Sequence, residues 1–488
     1  MQYQAIEFDK LAGFDARVWE LDLSKLKEPK LFDGRGRNIP RGMCYTFGKT
    51  IAARLKEAKQ EFFLISGDGR RDTPYIIEEL TQALTEAGIN VLYAGYNNTT
   101  PMFETERERL QICGANVTAS HQSSEYNGVK LVIDIRNPNL GNLLSSPSVK
   151  RGRKNVFFVG EELEQDYLDN LDQRIGKINF DGEILYDALQ GVSFDVFKEI
   201  ARRKRIKFKA FRAKPDGLFQ LTFNGPDPLD AENFRILRSF FDISKYSLVA
   251  IVDGDGDRFG LATPSGFVAS PYLAALRAEF SGKKGFVAEH CLGSIIQDYL
   301  RDNSRNITVI SCNRGRTNFI PEIKKLGVLG AEIALHNYNS MGIDDGVENT
   351  FELIKIIERL GGDKKLEEKL REIETKTRRF YPEIRVRTNR PSKRIVDELA
   401  KNPSYSHDLK RDSNGKPIDG ICIHTPEFGI FIRGSSNENS LTINVNWKNG
   451  EYYQAEEKLD VAVKSLEKIE QGLGDRITRR LAELNVSC

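Results

Sequence analysis

"FFLISGDGRRDTPYIIEELTQALTEAGINVLYAG", residues 62–95, decides the fold class. "FFLIS" is a short apolar run that stops at "GDGR", the pattern of a buried strand followed by a turn. "PYIIEELTQALTEAG" reads as a helix that ends on a C-cap glycine, Gly88. "INVLYAG" is a second strand, and "NNTTPM" breaks the chain after it. Short apolar strands alternating with amphipathic helices predict a mainly parallel α/β sheet. In such sheets ligands collect beyond the carboxyl ends of the strands.

The same alternation extends in both directions. Upstream, "MCYTFGKTIAARLKEA" carries Met43, Phe47, Ile51 and Leu55 at helical spacing. Downstream, the helix "MFETERERLQICG" leads into a polar loop, "TASHQSSEYNGVK" (118–130), and "KLVIDI" leaves it as a strand. The polar stretch 137–155 separates a second α/β unit, which ends in "YSLVAIVDGDGDRFG". A third runs through "GFVAEH", "ITVISC" and "NRGRTNFIPEIKKLG", and its tail, "DKKLEEKLREIETKTRRF", reads as a solvated charged helix. The last stretch is strand-rich and then helical. The expected fold is α/β, with three successive mixed α/β domains (1–155, 156–265, 266–378) plus a C-terminal α+β domain (379–488).

Composition narrows the function. A chain of 488 residues exceeds one core and suits three or four domains at roughly 150 residues each. Hydrophobic residues at 40% and charged residues at 29% fit soluble globular domains. A formal net charge of +2 gives no field that would collect nucleic acid. The basic run "ARRKRIKFKAFRAK" (201–214) alternates charge with apolar side chains from 205 to 211, so it reads as a half-buried strand with a lysine-rich outer face. No secretory signal and no run of about 18 apolar residues is visible, so a cytoplasmic chain with no membrane partner is expected. The six cysteines form no CxxC pair and read as reduced thiols. Only five histidines are available for acid/base work.

"DGDGDRFG" (253–260) is the most specific local motif. Asp253, Asp255 and Asp257 follow a buried apolar strand, with glycines between them. Three carboxylates this close repel unless a cation neutralises them, and hard oxygen ligands suit Mg2+ or Ca2+. An EF-hand is excluded because position 264 is Pro where its final glutamate would stand. Three aspartates leave open positions on an octahedral ion for a phosphate oxygen. Ser120-His121 is the second motif; a serine needs activation or prior modification to act. Without a GxSxG elbow, hydrolase chemistry has no support.

Together these stretches resemble the α-D-phosphohexomutase family. "TASHQSSEYNGVK" is similar to that family's active-serine loop, with Gln122-Ser123 where Asn-Pro is usual. "DGDGDR" resembles its metal loop and "FDGRG" (32–36) its N-terminal arginine element. "AEIALH" (331–336) stands where the family has Gly-Glu-x-Ser-Gly-His, and keeps Glu332 and His336 but carries Ala334 and Leu335. "RGSSNEN" (433–439) resembles the C-terminal phosphate loop. "GDGRRDTP" matches a family stretch only loosely.

The resemblance implies an intramolecular phosphotransferase. It would interconvert hexose 1-phosphate and hexose 6-phosphate, of glucose or mannose, through a phosphoserine and a hexose bisphosphate. Ser120 would carry the phosphoryl group, with one Mg2+ per chain held by Ser120, Asp253, Asp255 and Asp257. Arg35 and Arg258 would address the transferring group, since the guanidinium fork suits phosphate. His121 would position the phosphoserine, and Lys130 and His336 are the candidates for proton transfer. Glu332 would contact the sugar. Arg433, Ser435, Ser436 and Asn437 would hold the distal phosphate, and Arg316 is a further candidate for a phosphate or sugar contact. Tyr338, Asn339 and Ser340 could supply the sugar hydrogen bonds that Ala334 cannot make. A hexose bisphosphate is the expected activator, and a monomer or homodimer the expected assembly. The altered 332–336 segment leaves two alternatives: a phosphoglucosamine mutase-like or bisphosphate-forming enzyme, or a non-catalytic phosphosugar-binding protein.

Overall fold

Four sheets follow one another along the chain. The computed structural model describes residues 18–21, 41–133, 138–141, 143–152, 155–302, 306–401, 418, 420–435, 439–448 and 450–485. Arg35, Ser436 and Asn437 lie outside these residues.

The opening stretch folds as its pattern dictates. Strands Phe62–Gly67 and Asn90–Tyr96 pair in parallel, and helix Thr73–Glu86 connects them. Ile76, Ile77, Leu80, Ala83 and Leu84 form the buried stripe of that helix, and Pro74 sits in its first turn, where no amide donor is needed. Gly88 has φ +85° just past the end, the left-handed turn that glycine adopts without strain. Strand Cys113–Val117 pairs in parallel on the other side of Phe62–Gly67. Strand Val129–Val132 runs antiparallel to Cys113–Val117, and Val18–Leu21 antiparallel to it in turn. The sheet is therefore mixed. Residues 118–128 form the return between two neighbouring antiparallel strands, and they lie at the carboxyl end of Cys113–Val117.

The second sheet centres on Leu248–Val252, which runs parallel to Glu183–Asp187 and antiparallel to Phe259–Thr263. Glu183–Asp187 also pairs in parallel with Lys207–Phe211, the strand expected from the basic run. Leu248–Val252 is buried throughout, and residues 253–258 continue from its carboxyl end. The third sheet has parallel strands Thr308–Cys312, Gly285–Glu289 and Leu329–Ala331. The fourth is antiparallel, built on Ile421–His424, Phe428–Gly434 and Ser440–Trp447, with Ile384–Arg387 on the last of these. Helices Tyr452–Ile469 and Leu473–Asn485 cover it. The tail helix Asp363–Lys376 is less solvated than its charge suggests, because Leu366, Leu370 and Ile373 are buried.

The chain forms two compact units. The first comprises Met1–Val268, Ala334–Asn337 and Ile343–Leu366; the second comprises Ala269–Ile333, Tyr338–Gly342 and Glu367–Cys488. The first two sheets lie in the first unit, and the third and fourth in the second. The five described cysteines are free thiols. Among the described residues, no helix is long and apolar enough to cross a membrane.

Candidate active site

Two strand ends build the site within the first unit. The serine loop leaves Cys113–Val117 and the acidic loop leaves Leu248–Val252. Ser120 is almost fully buried and its Oγ donates to Asp253 Oδ2 at 2.8 Å, across 133 residues of sequence. Close packing of the two loops requires glycine at 254, because a Cβ there would come within 2.8 Å of the Ser120 carbonyl oxygen. Asp253, Asp255 and Asp257 are completely buried, and one oxygen from each lies within 4.8 Å of the others.

Backbone and side-chain donors hold the carboxylates. Asp253 Oδ1 accepts from the amides of Gly256 and Arg258, both at 3.1 Å. Asp255 Oδ2 accepts from Thr100 Oγ1 and from Lys130 Nζ, the latter at 2.9 Å. Thr100 opens helix Thr100–Leu110, whose N-cap is Thr99. Helix N-termini favour negative charge. Lys130 Nζ also donates to Asp257 Oδ2 at 2.7 Å. Strand register explains the reach of Lys130: it lies opposite Asn116 on strand Val129–Val132, at the end of that strand nearest the loop.

His336 enters through a short bridge with Arg258, and the amide of Phe259 donates to the Leu335 carbonyl at 3.2 Å. Its Nδ1 lies 2.6 Å from Asp344 Oδ2, and its Nε2 accepts from Arg258 Nε at 3.1 Å. These partners select the neutral ring protonated at Nδ1. Burial disfavours a second proton on His336, but the Asp257 and Asp344 carboxylates outweigh it and raise its basicity. Burial, then the carboxylates of Asp257 and Asp255, push Asp253 well above the usual carboxylate range. Burial acts on Asp257 too, yet Lys130 and then His336 overcome it and hold that carboxyl below its ordinary value.

The charges leave a place for a divalent cation. Asp253, Asp255, Asp257 and Asp344 bring four buried carboxylates, and Lys130 and Arg258 bring two cations. Two negative charges remain when His336 is neutral. Asp255 Oδ1 is buried with no hydrogen-bond partner among the described residues. A hard divalent ion satisfies both the charge and the oxygen. Asp257, His336 and Asp344 form an overlapping second group of close ligand atoms.

The other predicted residues are distributed as follows. His121 is half-buried, with Gln122 Nε2 3.4 Å from its Nε2. Glu332, Arg433 and Ser435 lie in the second unit. Glu332 is buried and accepts from Tyr338 Oη at 2.7 Å. Arg433 is the penultimate residue of strand Phe428–Gly434, opposite Thr442, and the Ser435 amide donates to the Ser440 carbonyl at 2.8 Å. Arg316 opens helix Arg316–Leu326. Sequence reasoning missed Asp344, Thr100, Thr118, Asp68 and Arg70. "GDGR" after an apolar strand was the visible signal for the last two.

Two family descriptions match this chain. "Phosphoglucomutase/phosphomannomutase, alpha/beta/alpha domain I" covers residues 35–135, and its domain II counterpart covers residues 165–266. Over these two segments the chain matches the α-D-phosphohexomutase family. The serine loop lies in the first matched segment and the acidic loop in the second. The chain is 25% identical over 251 residues to a phosphoglucomutase of Neisseria meningitidis serogroup B, a match of 50% of this chain and 54% of that enzyme. The chain thus spans about half the length of that relative. It is 22% identical over 417 residues to a phosphomannomutase/phosphoglucomutase of Pseudomonas syringae pv. tomato, covering 80% of this chain and 84% of that one. A phosphoglucomutase/phosphomannomutase family protein from Burkholderia thailandensis has the same fold, with TM-score 0.71 at 17% identity, over 89% of this chain and 95% of that one.

Proposed function

We propose that this protein interconverts hexose 1-phosphate and hexose 6-phosphate and carries the phosphoryl group on Ser120. The observation that carries this reading is the Ser120 hydroxyl, buried and donating to Asp253 inside a cluster of three carboxylates. Nothing in an acidic pocket would attract an anionic substrate to a bare serine. A divalent cation at Asp253, Asp255 and Asp257 cancels that charge. The ion we assign is Mg2+, one per chain, held by those three carboxylates and a Ser120 oxygen; bound there, it supplies two positive charges to the donor phosphate.

The chain's own residues supply the remainder. Phosphoryl transfer needs positioning and charge neutralisation more than covalent help. In the first half-reaction the sugar hydroxyl oxygen bonds to phosphorus as the bond from phosphorus to Ser120 Oγ breaks. The hydroxyl proton goes to His336 Nε2, freed when Arg258 turns from that nitrogen to the transferring group, and Asp344 orients the ring through Nδ1. Ser120 Oγ leaves, takes a proton from water and returns to its hydrogen bond with Asp253. In the second half-reaction Ser120 Oγ bonds to the phosphorus of the other phosphate and gives its proton to water as the bond from that phosphorus to the sugar oxygen breaks, and His336 Nε2 returns its proton to the released sugar oxygen. Lys130, clamped by two carboxylates, is an ammonium in this state; its role is to neutralise Asp255 and Asp257. Arg258 and Arg35 address the transferring group, and His121 steadies the phosphoserine. Arg433, Ser435, Ser436 and Asn437 take the distal phosphate. A hexose bisphosphate primes the serine.

Glucose and mannose phosphates are the substrates assigned first. The sugar loop favours a second reading, an amino-sugar phosphate, because Ala334 replaces a hydroxyl and Glu332 is engaged by Tyr338. Turnover of glucose, mannose and glucosamine 1-phosphates with Mg2+ and a hexose bisphosphate, followed by phosphorus NMR, separates these readings. Conversion of at least one to its 6-phosphate is expected. No conversion of any by the folded protein refutes the proposal, and release of the bisphosphate alone favours the bisphosphate-forming alternative.

A further inference from the structure

The serine loop lacks the proline that would stiffen its turn, and Ser120 itself holds a left-handed backbone, φ +50°, which a non-glycine residue keeps only when its surroundings enforce it. One buried side chain does so. Arg70 reaches the loop from the "GDGR" turn, and all five of its guanidinium N–H groups have partners. Nε donates to Asp68 Oδ2 at 3.1 Å. One terminal nitrogen donates to the carbonyls of Ser123 and Tyr126 at 2.8 and 2.9 Å. The other donates to the carbonyls of Ser120 and Gln122 at 2.8 and 2.7 Å. Arg70 is 3% exposed, and the Phe219 ring lies 4.9 Å from the guanidinium carbon.

We propose that Arg70 is a positioning residue for phosphoryl transfer: it fixes the backbone of residues 120–126 and thereby aims Ser120 Oγ. The proposal rests on the mutase reading of Ser120. No other side chain type could make this contact. The four carbonyls need donors spread over a plane, which the rigid fork supplies; a lysine ammonium offers three donors from one point. The clamp also accounts for a loop that tolerates Gln122-Ser123 at its tip. Its acceptors are main-chain oxygens, so the side chains at 122 and 123 are not the ones that hold the turn. Asp68 completes the arrangement from the other side. It accepts from Arg70 Nε and from Thr118 Oγ1 at 2.7 Å, and Thr118 Oγ1 in turn accepts from the Ser120 amide at 2.9 Å. The reactive serine is thus held at its amide through Thr118 and at its carbonyl through Arg70.

The test uses the full chain as wild type, Arg70→Lys and Arg70→Met. Amide hydrogen exchange is read over residues 119–127 and over the rest of the chain, and kcat and KM are read with glucose 1-phosphate, Mg2+ and glucose 1,6-bisphosphate. Exchange of the loop is expected to rise about tenfold or more in Arg70→Met, with the sheets unchanged. Its kcat should fall about 100-fold, since a displacement near 1 Å at a reacting group costs that much, while KM stays within about threefold. Arg70→Lys should lie between the two, and guanidinium ion at concentrations that leave wild type folded should restore part of the Arg70→Met kcat. Loop exchange equal to wild type, or a loss confined to KM, overturns the proposal. Should both variants fail to fold, Phe219→Leu decides: faster loop exchange with lower kcat upholds the clamp, and no change in either overturns it. The exchange measurement needs no substrate, so the two readings fail separately. A wild type that converts no hexose phosphate, with the loop still loosened in Arg70→Met, refutes the mutase reading alone; active variants with an unchanged loop refute the clamp alone.

Discussion

Replacing Lys130 by methionine removes an ammonium that bridges two buried carboxylates. Its contacts are 2.9 Å to Asp255 and 2.7 Å to Asp257, and both acids are completely buried. At an effective dielectric constant of about 20, each contact corresponds to roughly 6 kcal/mol of gross attraction. Desolvation of the lysine offsets most of this, and removing one partner of a buried pair costs about 3–5 kcal/mol, because the remaining charge stays buried. For a unit of this size a loss of 1 kcal/mol lowers the unfolding midpoint by roughly 2–4 °C, so a drop of about 6–20 °C is expected in chelator at neutral pH. The pH dependence has a definite sign. Asp257 has a depressed pKa in the folded state, so its stabilisation is complete above the unfolded value and is lost as pH falls through the folded value. Lys130→Met removes the charge that depresses it. The deficit should therefore be largest at neutral and alkaline pH and shrink on acidification, as the abandoned carboxylates take up protons. Mg2+ should narrow the deficit by supplying the missing charge. Thermal unfolding with and without chelator across this pH range is the assay. Equal midpoints at neutral pH in chelator, or a deficit that grows as pH falls, would refute the electrostatic reasoning.

Other consequences follow from the same geometry. Asp344→Asn weakens the partner that orients His336, and kcat should fall about 10–100-fold with KM little changed; an effect on KM alone would remove Asp344 from proton transfer. Tyr338→Phe takes a donor from buried Glu332 and should cost about 1–3 kcal/mol of stability, read from the unfolding midpoint. An unchanged midpoint with a raised KM would instead make Tyr338 a sugar contact. Stripping divalent cations from the wild type should abolish turnover, and restoring Mg2+ to about 100 times its dissociation constant should return about 2.7 kcal/mol of stability.

The parts of this site that the sequence revealed are those carried by local pattern. Apolar runs of strand length marked the positions of Cys113–Val117 and Leu248–Val252, and the loops beyond them hold Ser120 and the three aspartates. Lys130 followed from the resemblance of its loop to the family's active-serine loop. Arg70, Thr100 and Asp344 escaped because their roles are long-range. Arg70 acts on carbonyls 50 or more residues away, and backbone oxygens leave no mark in the sequence. Thr100 reads as an ordinary helix start until Asp255 is placed beside it. Asp344 lies eight residues from His336, and only the turn between them brings the carboxylate to Nδ1. The tail helix read as solvated because its few apolar residues are outnumbered by charges, yet Leu366 and Ile373 are fully buried. The mixed order of the first sheet was hidden for a similar reason. An antiparallel return through a long polar loop has the same apolar signature as a parallel crossover.

The central claim is that Ser120 carries a phosphoryl group between sugar oxygens. Intact-protein mass spectrometry after incubation with glucose 1,6-bisphosphate and Mg2+ tests it most directly. Wild type should show a species about 80 Da heavier that disappears when glucose 6-phosphate is added, and Ser120→Ala should show none. The absence of that species in folded wild type, or its persistence in Ser120→Ala, would contradict the claim.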